Sequence, residues 1–294
     1  MPAATGAYLA LDVGGTKLAA GVVDTSGGLL VRDRVATPGG TDAQALFETA
    51  ADLLDSVRER AGAPLVACGV GCGGPMRDLL VSPLNIPAWR DFPLAETLGK
   101  RLALPVSVDN DAKALALAEG WLGAARGARN YLAMVVSTGV GGGLVLDGRL
   151  LDGRLGNAGH VGHVIVEAQG RACACGGHGC LEAESSGTAI AQMTGRPAKE
   201  AGEEVRARTG TMVGRAVASV ASLLDLDLVV VGGSVALGFG TPFFEAAQRE
   251  LAERARLSFA AECRVVPAGL GDEAPLVGAA AVAMRAAGAT WLAS

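Results

Sequence analysis

The residues with the clearest chemical potential lie together between Asn157 and Glu182. All three histidines of the chain and three of its six cysteines fall in this segment: His160, His163, His178, Cys173, Cys175 and Cys180. Imidazole and thiolate groups at short, irregular spacing are typical zinc ligands. The glycines between them supply the backbone freedom that a loop around a small ion needs. The segment therefore predicts a metal-binding loop.

A first glycine-rich turn follows the N-terminal strand. Tyr8–Val13 is predicted as a short apolar strand with Asp12 near its end, and Gly14-Gly15-Thr16-Lys17 turns the chain into a second strand at Leu18–Asp24. Backbone N–H groups in such a turn can form a concavity that binds phosphate. The P-loop spacing is absent and no helix begins at the turn, so we interpret it as a hairpin turn.

A second turn of the same design opens the other half of the chain. A strand at Asn130–Ser137 breaks at Ser137–Gly143, which contains Thr138 and Gly139, and resumes at Leu144–Leu146. One glycine loop alone is a weak signal because such loops are common. Two of them, each at the start of its half, predict an internal duplication with both turns facing one triphosphate.

Asp111 is the candidate carboxylate. It follows a predicted strand at Pro105–Val108 and begins an Ala- and Leu-rich helix that runs to about Trp121. A carboxylate at such a junction either caps the helix or is presented to a cleft. The cap alone is the more ordinary interpretation, and the adjacent Asp109 and Asn110 favour the cleft.

Two further glycine clusters end predicted strands. Gly69–Gly74 matches G-x-G-x-x-G, but Pro75 and a polar loop follow where a dinucleotide site needs a helix. We interpret it as a loop that lets a small substrate approach the backbone near Gly73. Gly232 and Gly233 follow a buried strand at Leu226–Val231, at the kind of edge where nucleotides bind.

The remaining elements must position these residues, and hydrophobic periodicity predicts them. Helices are predicted at Asp42–Ala61, Asp91–Leu102, Ser185–Met193, Ala198–Arg208, Met212–Leu224, Thr241–Leu257 and Pro275–Ala287, and further strands at Leu29–Ala36, Leu65–Gly71 and Cys263–Val266. Strands and helices in this order indicate mixed sheets flanked by helices.

Composition narrows the class of protein. A chain of 294 residues that is 50% apolar forms a substantial core, and its length favours two lobes. A net charge of −5 disfavours a nucleic-acid surface. We see no signal peptide and no apolar run long enough to span a membrane, which favours a cytoplasmic protein whose cysteines are thiols or metal ligands.

At this point the motifs are similar to those of a known family. Over nearly its whole length the chain resembles the ROK family of sugar kinases and repressors, which have the duplicated actin-like ATPase (ribonuclease H-like) α/β fold. The resemblance rests on L-D-V-G-G-T-K (Leu11–Lys17), N-D-A (Asn110–Ala112), S-T-G-V-G-G-G (Ser137–Gly143), G-H-x-x-V (Gly162–Val166), C-x-C-G-x-x-G-C-x-E (Cys173–Glu182) and V-V-V-G-G-S (Val229–Ser234). It implies a small lobe at residues 1–111, completed by a C-terminal helix at 275–294, and a large lobe at 112–274.

The resemblance also implies a role for each candidate residue in an ATP-dependent sugar 6-kinase. Asp111 is expected to act as the general base for the 6-hydroxyl, and Asn110, His163 and Glu182 to contact the sugar, which the glycine loop at Gly73 lets approach the backbone. Asp12, Gly14, Gly15, Thr16, Lys17, Thr138 and Gly139 are expected around the phosphates and Mg²⁺, and Gly232 and Gly233 along the adenosine. A structural zinc ion is expected on His163, Cys173, Cys175 and Cys180, with His178 at a variable position. A homodimer is the family expectation.

His160 departs from the commonest family pattern, A-G-E-x-G-H. A glutamate there only accepts hydrogen bonds, whereas a neutral imidazole can also donate one, which suits an acetamido carbonyl at C2 of the sugar. Bacterial N-acetylmannosamine kinases look similar in this segment, so we expect N-acetyl-D-mannosamine as the substrate. Alternatively, His160 replaces the glutamate with little effect on the choice of sugar.

Several other functions stay open at this stage. The enzyme alternatives are a glucokinase, an N-acetylglucosamine kinase, or a kinase of another aminosugar or a cyclitol. A sugar-responsive repressor of the family would carry a helix-turn-helix domain before the first glycine turn, and too few residues precede that turn here. An inactive sugar sensor is disfavoured because Asn110, Asp111 and both turns are intact.

Overall fold

The computed structural model describes residues 6–289. Its strands are β1 (Ala7–Val13), β2 (Lys17–Asp24), β3 (Leu29–Ala36), β4 (Leu65–Cys72), β5 (Met76–Arg77), β6 (Leu80–Val81), β7 (Val106–Asp109), β8 (Tyr131–Val136), β9 (Val140–Leu146), β10 (Arg149–Leu150), β11 (Leu228–Gly232) and β12 (Arg264–Pro267). Its helices are α1 (Ala43–Ala61), α2 (Leu94–Leu102), α3 (Asp111–Trp121), α4 (Leu181–Ser185), α5 (Gly187–Thr194), α6 (Glu203–Leu224), α7 (Ser234–Phe239), α8 (Thr241–Arg254) and α9 (Ala274–Ala286). Two predictions extend beyond the described residues. The N-terminal segment in which we see no signal peptide includes residues 1–5, and the C-terminal helix expected at 275–294 includes residues 290–294.

Two five-stranded sheets have the same design. The first has the order β3-β2-β1-β4-β7 and the second β10-β9-β8-β11-β12. In each, the first three strands in chain order form an antiparallel meander, and two later strands add in parallel beside the first of them. The predicted duplication and the mixed sheets flanked by helices are confirmed.

Helices cover both faces of the sheets. Alternate residues of β1 point to opposite sides, so Leu9 and Leu11 join the core beneath α1 and α2, while Tyr8 and Ala10 face α9. The helices α6 and α8 supply the core on one face of the second sheet. The helix α3 contacts both β9 and α9, so it lies between the two halves of the molecule.

Local signals fix several helix ends where the sequence predicts them. The Asp42 carboxylate accepts hydrogen bonds from two backbone N–H groups of the first turn of α1, at 3.0 Å each, and Gly62 ends the helix with φ 58°. The Asn110 side chain caps α3 in the same way, so the cap is Asn110, and Asp111, the predicted cap, is the first residue of the helix. Both junctions follow ordinary capping chemistry.

The prediction for the second glycine turn is wrong in its length. The turn ends at Gly139, and β9 begins at Val140 instead of Leu144. The glycines of this strand let other backbone segments approach, because a Cβ at Gly143 would lie 2.7 Å from the carbonyl oxygen of Ala112 in α3. The requirement is close packing, not a turn.

Two helix predictions are also corrected. The predicted helices at 198–208 and 212–224 are one helix, α6, preceded by a short 3₁₀ turn at Ala198–Glu200. The predicted helix Ser185–Met193 divides into α4 and α5 because Ser186 is extended (ψ 159°) and caps α5 through its hydroxyl. Within the described residues, no helix combines the length and apolar character needed to cross a membrane.

Candidate active site and metal centre

The first glycine turn is tight and tethered. The backbone N–H of Gly14 donates to the carbonyl of Lys17 at 3.1 Å, and the Thr37 hydroxyl donates to the carbonyl of Gly14 at 2.7 Å. Gly15, Thr16 and Lys17 are exposed at the edge of the first sheet. The turn therefore presents backbone groups and one cationic side chain to solvent from a fixed position.

Two carboxylates face each other beside this turn. Asp12, Gly71 and Asp109 occupy one row across β1, β4 and β7, which places Asp12 near the start of α3. A Cβ at Gly71 would lie 3.7 Å from the Asp111 Cα and 3.9 Å from Asp12 Oδ1. A Cβ at Gly73 would lie 3.4 Å from Asp111 Oδ2. Glycine at these two positions leaves the space between the carboxylates and β4 open.

The electrostatics of this pair follow from burial and like charge. Burial and the charge of Asp111 raise the pKa of Asp12 to about 7, against a smaller lowering by Lys17. Burial also raises the pKa of Asp111, although a hydrogen bond from the backbone N–H of Ala112 to its carboxylate lowers it. A carboxylate with a raised pKa is suited to accept a proton, and two carboxylates close together are suited to hold a cation.

The second glycine turn contacts α4, α5 and the first residue of α7. Glu182 Oε2 accepts a hydrogen bond from the backbone N–H of Val140 at 2.8 Å, so this carboxylate lies directly against the turn. The Thr188 hydroxyl donates to the carbonyl of Thr138 at 2.9 Å. The hydroxyls of Ser137 and Ser234 are 2.9 Å apart and join this turn to the one that follows β11.

Packing requires glycine at position 233, independently of any ligand. Gly232 is buried at the end of β11, and Gly233 has φ 96°. A Cβ at Gly233 would lie 2.4 Å from the carbonyl of Val136, so only glycine lets the two strand ends meet. The structure thus brings the predicted nucleotide residues of the second half to one edge of one sheet.

Four predicted metal ligands form a cluster. The Nδ1 atom of His163 and the sulfurs of Cys173, Cys175 and Cys180 all lie within 4.8 Å of one another. His163 Nδ1 is 3.7 Å from the Cys173 sulfur, and the sulfurs of Cys175 and Cys180 are also 3.7 Å apart. A tetrahedral zinc ion with Zn–S bonds of about 2.3 Å separates its sulfurs by about 3.8 Å. The donor set and spacing fit such an ion, and His178 lies outside the cluster.

The cysteine loop is held by its own backbone and by one carboxylate. Isolated bridges pair Ile165 with Cys180 and Ala172 with His178, which makes the segment a small hairpin. Behind it, Glu184 Oε2 accepts from the guanidinium of Arg208 at 2.6 Å, and Glu184 Oε1 accepts from the backbone N–H of Arg171 at 2.8 Å. These bonds fix the hairpin to α6 and place Glu182, two residues after Cys180, at the glycine turn.

His160 lies near His163, with the two ring centroids 6.2 Å apart and the rings nearly perpendicular. Its Nε2 atom is buried and has no hydrogen-bond partner among the described residues. Burial lowers the pKa of this imidazole, which favours its neutral form. A buried ring nitrogen without a partner is costly unless a ligand satisfies it.

The loop that carries His160 is anchored on both sides of the molecule. The Asn157 amide bonds to both backbone groups of Met76, accepting at 2.9 Å and donating at 2.7 Å. Asp152, earlier in the same loop, forms ion pairs with Lys113 at 2.9 Å and with Arg285 at 2.6 Å. Lys113 also pairs with Asp109 at 2.7 Å, next to the candidate base.

Sequence reasoning missed these non-local residues, namely Asn157, Asp152, Lys113, Thr188 and Ser234. Ser234 ends the V-V-V-G-G-S motif, but no spacing in the sequence indicates its contact with Ser137, and each of the other four also has a partner in a distant part of the chain. The sequence offered only their nearness to predicted site residues: Ser234 directly follows Gly233, and Lys113 lies two residues after Asp111.

Comparisons with known proteins agree with this architecture. The duplicated sheets, with a glycine turn on the first hairpin of each, define an actin-like ATPase fold. The chain belongs to the ROK family, whose family model matches residues 8–286.

Individual relatives cover most of the chain. It is 38% identical to an N-acetylmannosamine kinase of Yersinia pseudotuberculosis over 253 residues, which is 80% of this chain and 85% of that protein. It is similar to a solved ROK hexokinase from Thermus thermophilus (37% identity, TM-score 0.79, 96% of this chain and 99% of the other). It is also similar to a ROK glucokinase from Streptomyces griseus solved with glucose and AMPPNP (30% identity, TM-score 0.84, 95% and 100%).

Proposed function

We propose that this protein transfers the terminal phosphoryl group of ATP to the 6-hydroxyl of N-acetyl-D-mannosamine. The proposal rests on three observations: Asp111 lies near Asp12 beside the first glycine turn, Glu182 contacts the second turn, and the buried Nε2 of His160 has no partner among the described residues. Membership of the ROK family and the likeness to named sugar kinases support it.

Asp111 is proposed as the general base. A sugar hydroxyl is a weak nucleophile, and a positioned carboxylate that accepts its proton contributes typically about 10²–10⁴-fold to the rate. The raised pKa of Asp111 makes it a better proton acceptor than a fully solvated carboxylate. Its backbone is fixed by the N-terminus of α3, where Asn110 supplies the cap.

The two glycine turns are proposed to hold the phosphates, with Gly14, Gly15, Thr16 and Lys17 from one half and Thr138 and Gly139 from the other. These turns would align the phosphates and donate hydrogen bonds to the negatively charged phosphate oxygens. Bound Mg²⁺ would supply neutralisation of the phosphate charge, and Asp12 is placed to hold it. Burial and, second, the charge of Asp111 raise the pKa of Asp12 to about 7, and a divalent cation between the two carboxylates would offset their repulsion. Gly232 and Gly233 would line the adenosine.

The choice of an N-acetylated sugar depends on His160. A neutral imidazole carries one N–H donor, which can satisfy the carbonyl of a 2-acetamido group, whereas glutamate cannot donate at neutral pH. The buried, partnerless Nε2 of His160 is the atom available for it. Gly73, Asn110, His163 and Glu182 would surround the other hydroxyls of the ring. His163 can contribute Nε2, since its Nδ1 faces Cys173.

A structural zinc ion is proposed on His163, Cys173, Cys175 and Cys180. Three thiolates and one imidazole leave no open position in a tetrahedral site, so the role is structural. The ion would fix the hairpin that leads to Glu182 and the ring orientation of His163. In this way it supports the sugar site without taking part in the reaction.

Purified protein assayed for ADP release tests the function. The panel contains N-acetylmannosamine, N-acetylglucosamine, glucose and mannose. We expect N-acetylmannosamine to have the highest kcat/KM, and Asp111→Asn to abolish turnover while sugar binding by calorimetry persists. Glucose winning the panel by a wide margin would contradict the assignment of His160, and near-normal turnover in Asp111→Asn would contradict that of the base.

The assembly and setting are proposed from the family resemblance and the sequence. We infer a cytoplasmic homodimer in which residues 1–111 and α9 form one lobe and residues 112–274 the other. Sedimentation velocity tests the dimer, and limited proteolysis tests the lobes, since cleavage between compact lobes yields fragments that end near residues 111 and 274.

A further inference from the structure

The loop between β6 and α2 reaches both glycine turns. We call residues 82–90 the Asn85 loop. A Cβ at Gly15 in the first turn would lie 3.0 Å from the Asn85 Cβ, and a Cβ at Gly139 in the second turn would lie 3.8 Å from Asn85 Nδ2. Asn85 therefore lies where the two halves of the proposed phosphate site approach each other.

Buried side chains and hydrogen bonds fix the Asn85 loop. Trp89 is fully buried, stacks on Phe92 with ring centroids 4.9 Å apart, and donates its indole N–H to the carbonyl of Ala43. The guanidinium of Arg90 donates to three carbonyls of the loop, those of Pro83 and Ile86 at 2.9 Å and that of Trp89 at 2.6 Å. These contacts fix the backbone on which Asn85 stands.

The Asn85 side chain offers an amide that no other described residue uses. Its side chain is exposed and makes no hydrogen bond to any other residue in the described part of the chain. A solvated surface asparagine is common, but this one is fixed beside Gly139, where a Cβ would lie only 2.7 Å from Glu182 Oε2. A pre-positioned amide with free N–H donors next to two phosphate turns suits a group that develops negative charge.

We propose that Asn85 is a further catalytic residue, whose Nδ2 donates a hydrogen bond to an oxygen of the phosphoryl group during transfer. The inference rests on the proposed kinase function. In the step, the bond between the sugar 6-oxygen and the γ-phosphorus forms as the bond from that phosphorus to the β–γ bridging oxygen breaks. The hydroxyl proton goes to Asp111. Asn85 gives up no proton and acts only on the oxygens of the group in transit.

The test compares Asn85→Ala and Asn85→Asp with wild type, using the sugar of the panel that wild type phosphorylates best. Removing one donor to transition-state charge lowers kcat by about 10²-fold or more. We expect that loss in Asn85→Ala with both KM values within about twofold. Asn85→Asp should lose more, because a carboxylate only accepts and repels phosphate. Leu84→Ala, an exposed neighbour, should keep the wild-type kcat.

A binding measurement separates the transition state from the ground state. Calorimetry with ADP, aluminium fluoride and sugar should show weaker binding in Asn85→Ala, whereas binding of AMPPNP should be unchanged. A variant that raises only the KM for sugar, or that leaves both kcat and the aluminium fluoride complex unaltered, overturns the role of Asn85. With either result, the proposed kinase function still stands as long as the wild type phosphorylates a sugar. A wild type that phosphorylates no sugar overturns both proposals.

Discussion

Replacing Lys113 by methionine should weaken the fold strongly, because this ammonium group neutralises buried charge. The Lys113 side chain is 2% exposed, and its Nζ lies 2.7 Å from Asp109 Oδ1. Methionine keeps most of the apolar stem and removes the charge, which leaves the Asp109 side chain, 10% exposed, without its near partner. Breaking a buried pair in this way costs about 3–5 kcal/mol. Arg285 remains 3.6 Å from Asp109 and compensates in part, so we expect about 3 kcal/mol by urea unfolding near neutral pH.

The pH dependence of this loss identifies its cause. Burial raises the pKa of Asp109, and Lys113 lowers it, so the variant raises it further. A carboxyl group with a raised pKa in the folded state destabilises the fold as pH rises from the unfolded pKa toward the folded one. The deficit of Lys113→Met should therefore be smaller at about pH 5 than at about pH 8.

A second substitution and a control complete the test. Asp109→Asn combined with Lys113→Met removes the unpaired charge and should recover part of the stability. Lys100→Met, which breaks an exposed pair with Glu96, should change stability by less than about 0.5 kcal/mol. A loss below about 1 kcal/mol in Lys113→Met, or one that neither pH nor Asp109→Asn alters, would refute the reasoning.

Three further predictions concern other parts of the molecule. Cys175→Ser should reduce the zinc content of purified protein measured by atomic absorption, and His178→Ala should retain one zinc ion per chain; equal loss in both would contradict the ligand set. Gly210→Ala places a Cβ 2.1 Å from a carbonyl of α8 and should cost about 1–3 kcal/mol in urea unfolding. At Gly238 a Cβ would meet open space, so Gly238→Ala should lower the free energy of unfolding by less than half as much. Equal losses in the two variants would show that α6 can shift away from α8. Asp12→Asn removes a carboxyl group whose pKa is raised to about 7, so its melting temperature without ligand should exceed that of wild type at about pH 8 and match it near pH 4; a variant less stable at the higher pH would contradict the raised pKa.

Local chemistry made much of the fold predictable. The Asp42 cap sets a helix start that needs no distant partner, and the apolar run Tyr8–Val13 predicted a strand that proves to be buried on both faces. For α3 the start was predicted within one residue, with Asn110 as the cap instead of Asp111. The failures occur where glycine serves packing between elements. Gly143 lies within a strand because α3 approaches it, and Gly210 lies within α6 because α8 approaches it. Nothing near either residue in the sequence distinguishes close approach from a turn.

The candidate site was predictable to a similar degree. The cysteine cluster is compact in sequence, so Cys173, Cys175 and Cys180 could be proposed together, and the distances between their sulfurs and His163 fit one ion. The residues that brace the site were not predictable. The contacts of Asn157 with Met76 and of Asp152 with Arg285 join positions 81 and 133 residues apart, and no local spacing records them.

The packing of α9 against β1 and β4 has a consequence for synthesis on the ribosome. A Cβ at Gly69 would lie 1.8 Å from the carbonyl of Ala279, so the helix backbone rests directly on a strand from the first quarter of the chain. Tyr8 and Ala10 pack in one apolar cluster with Leu276, Ala279 and Ala283 of this helix. The earliest sheet to emerge from the exit tunnel is thus completed by one of the last segments to emerge. A nascent chain stalled before residue 274 should leave this face of the sheet open to chaperones, and release of α9 should close it.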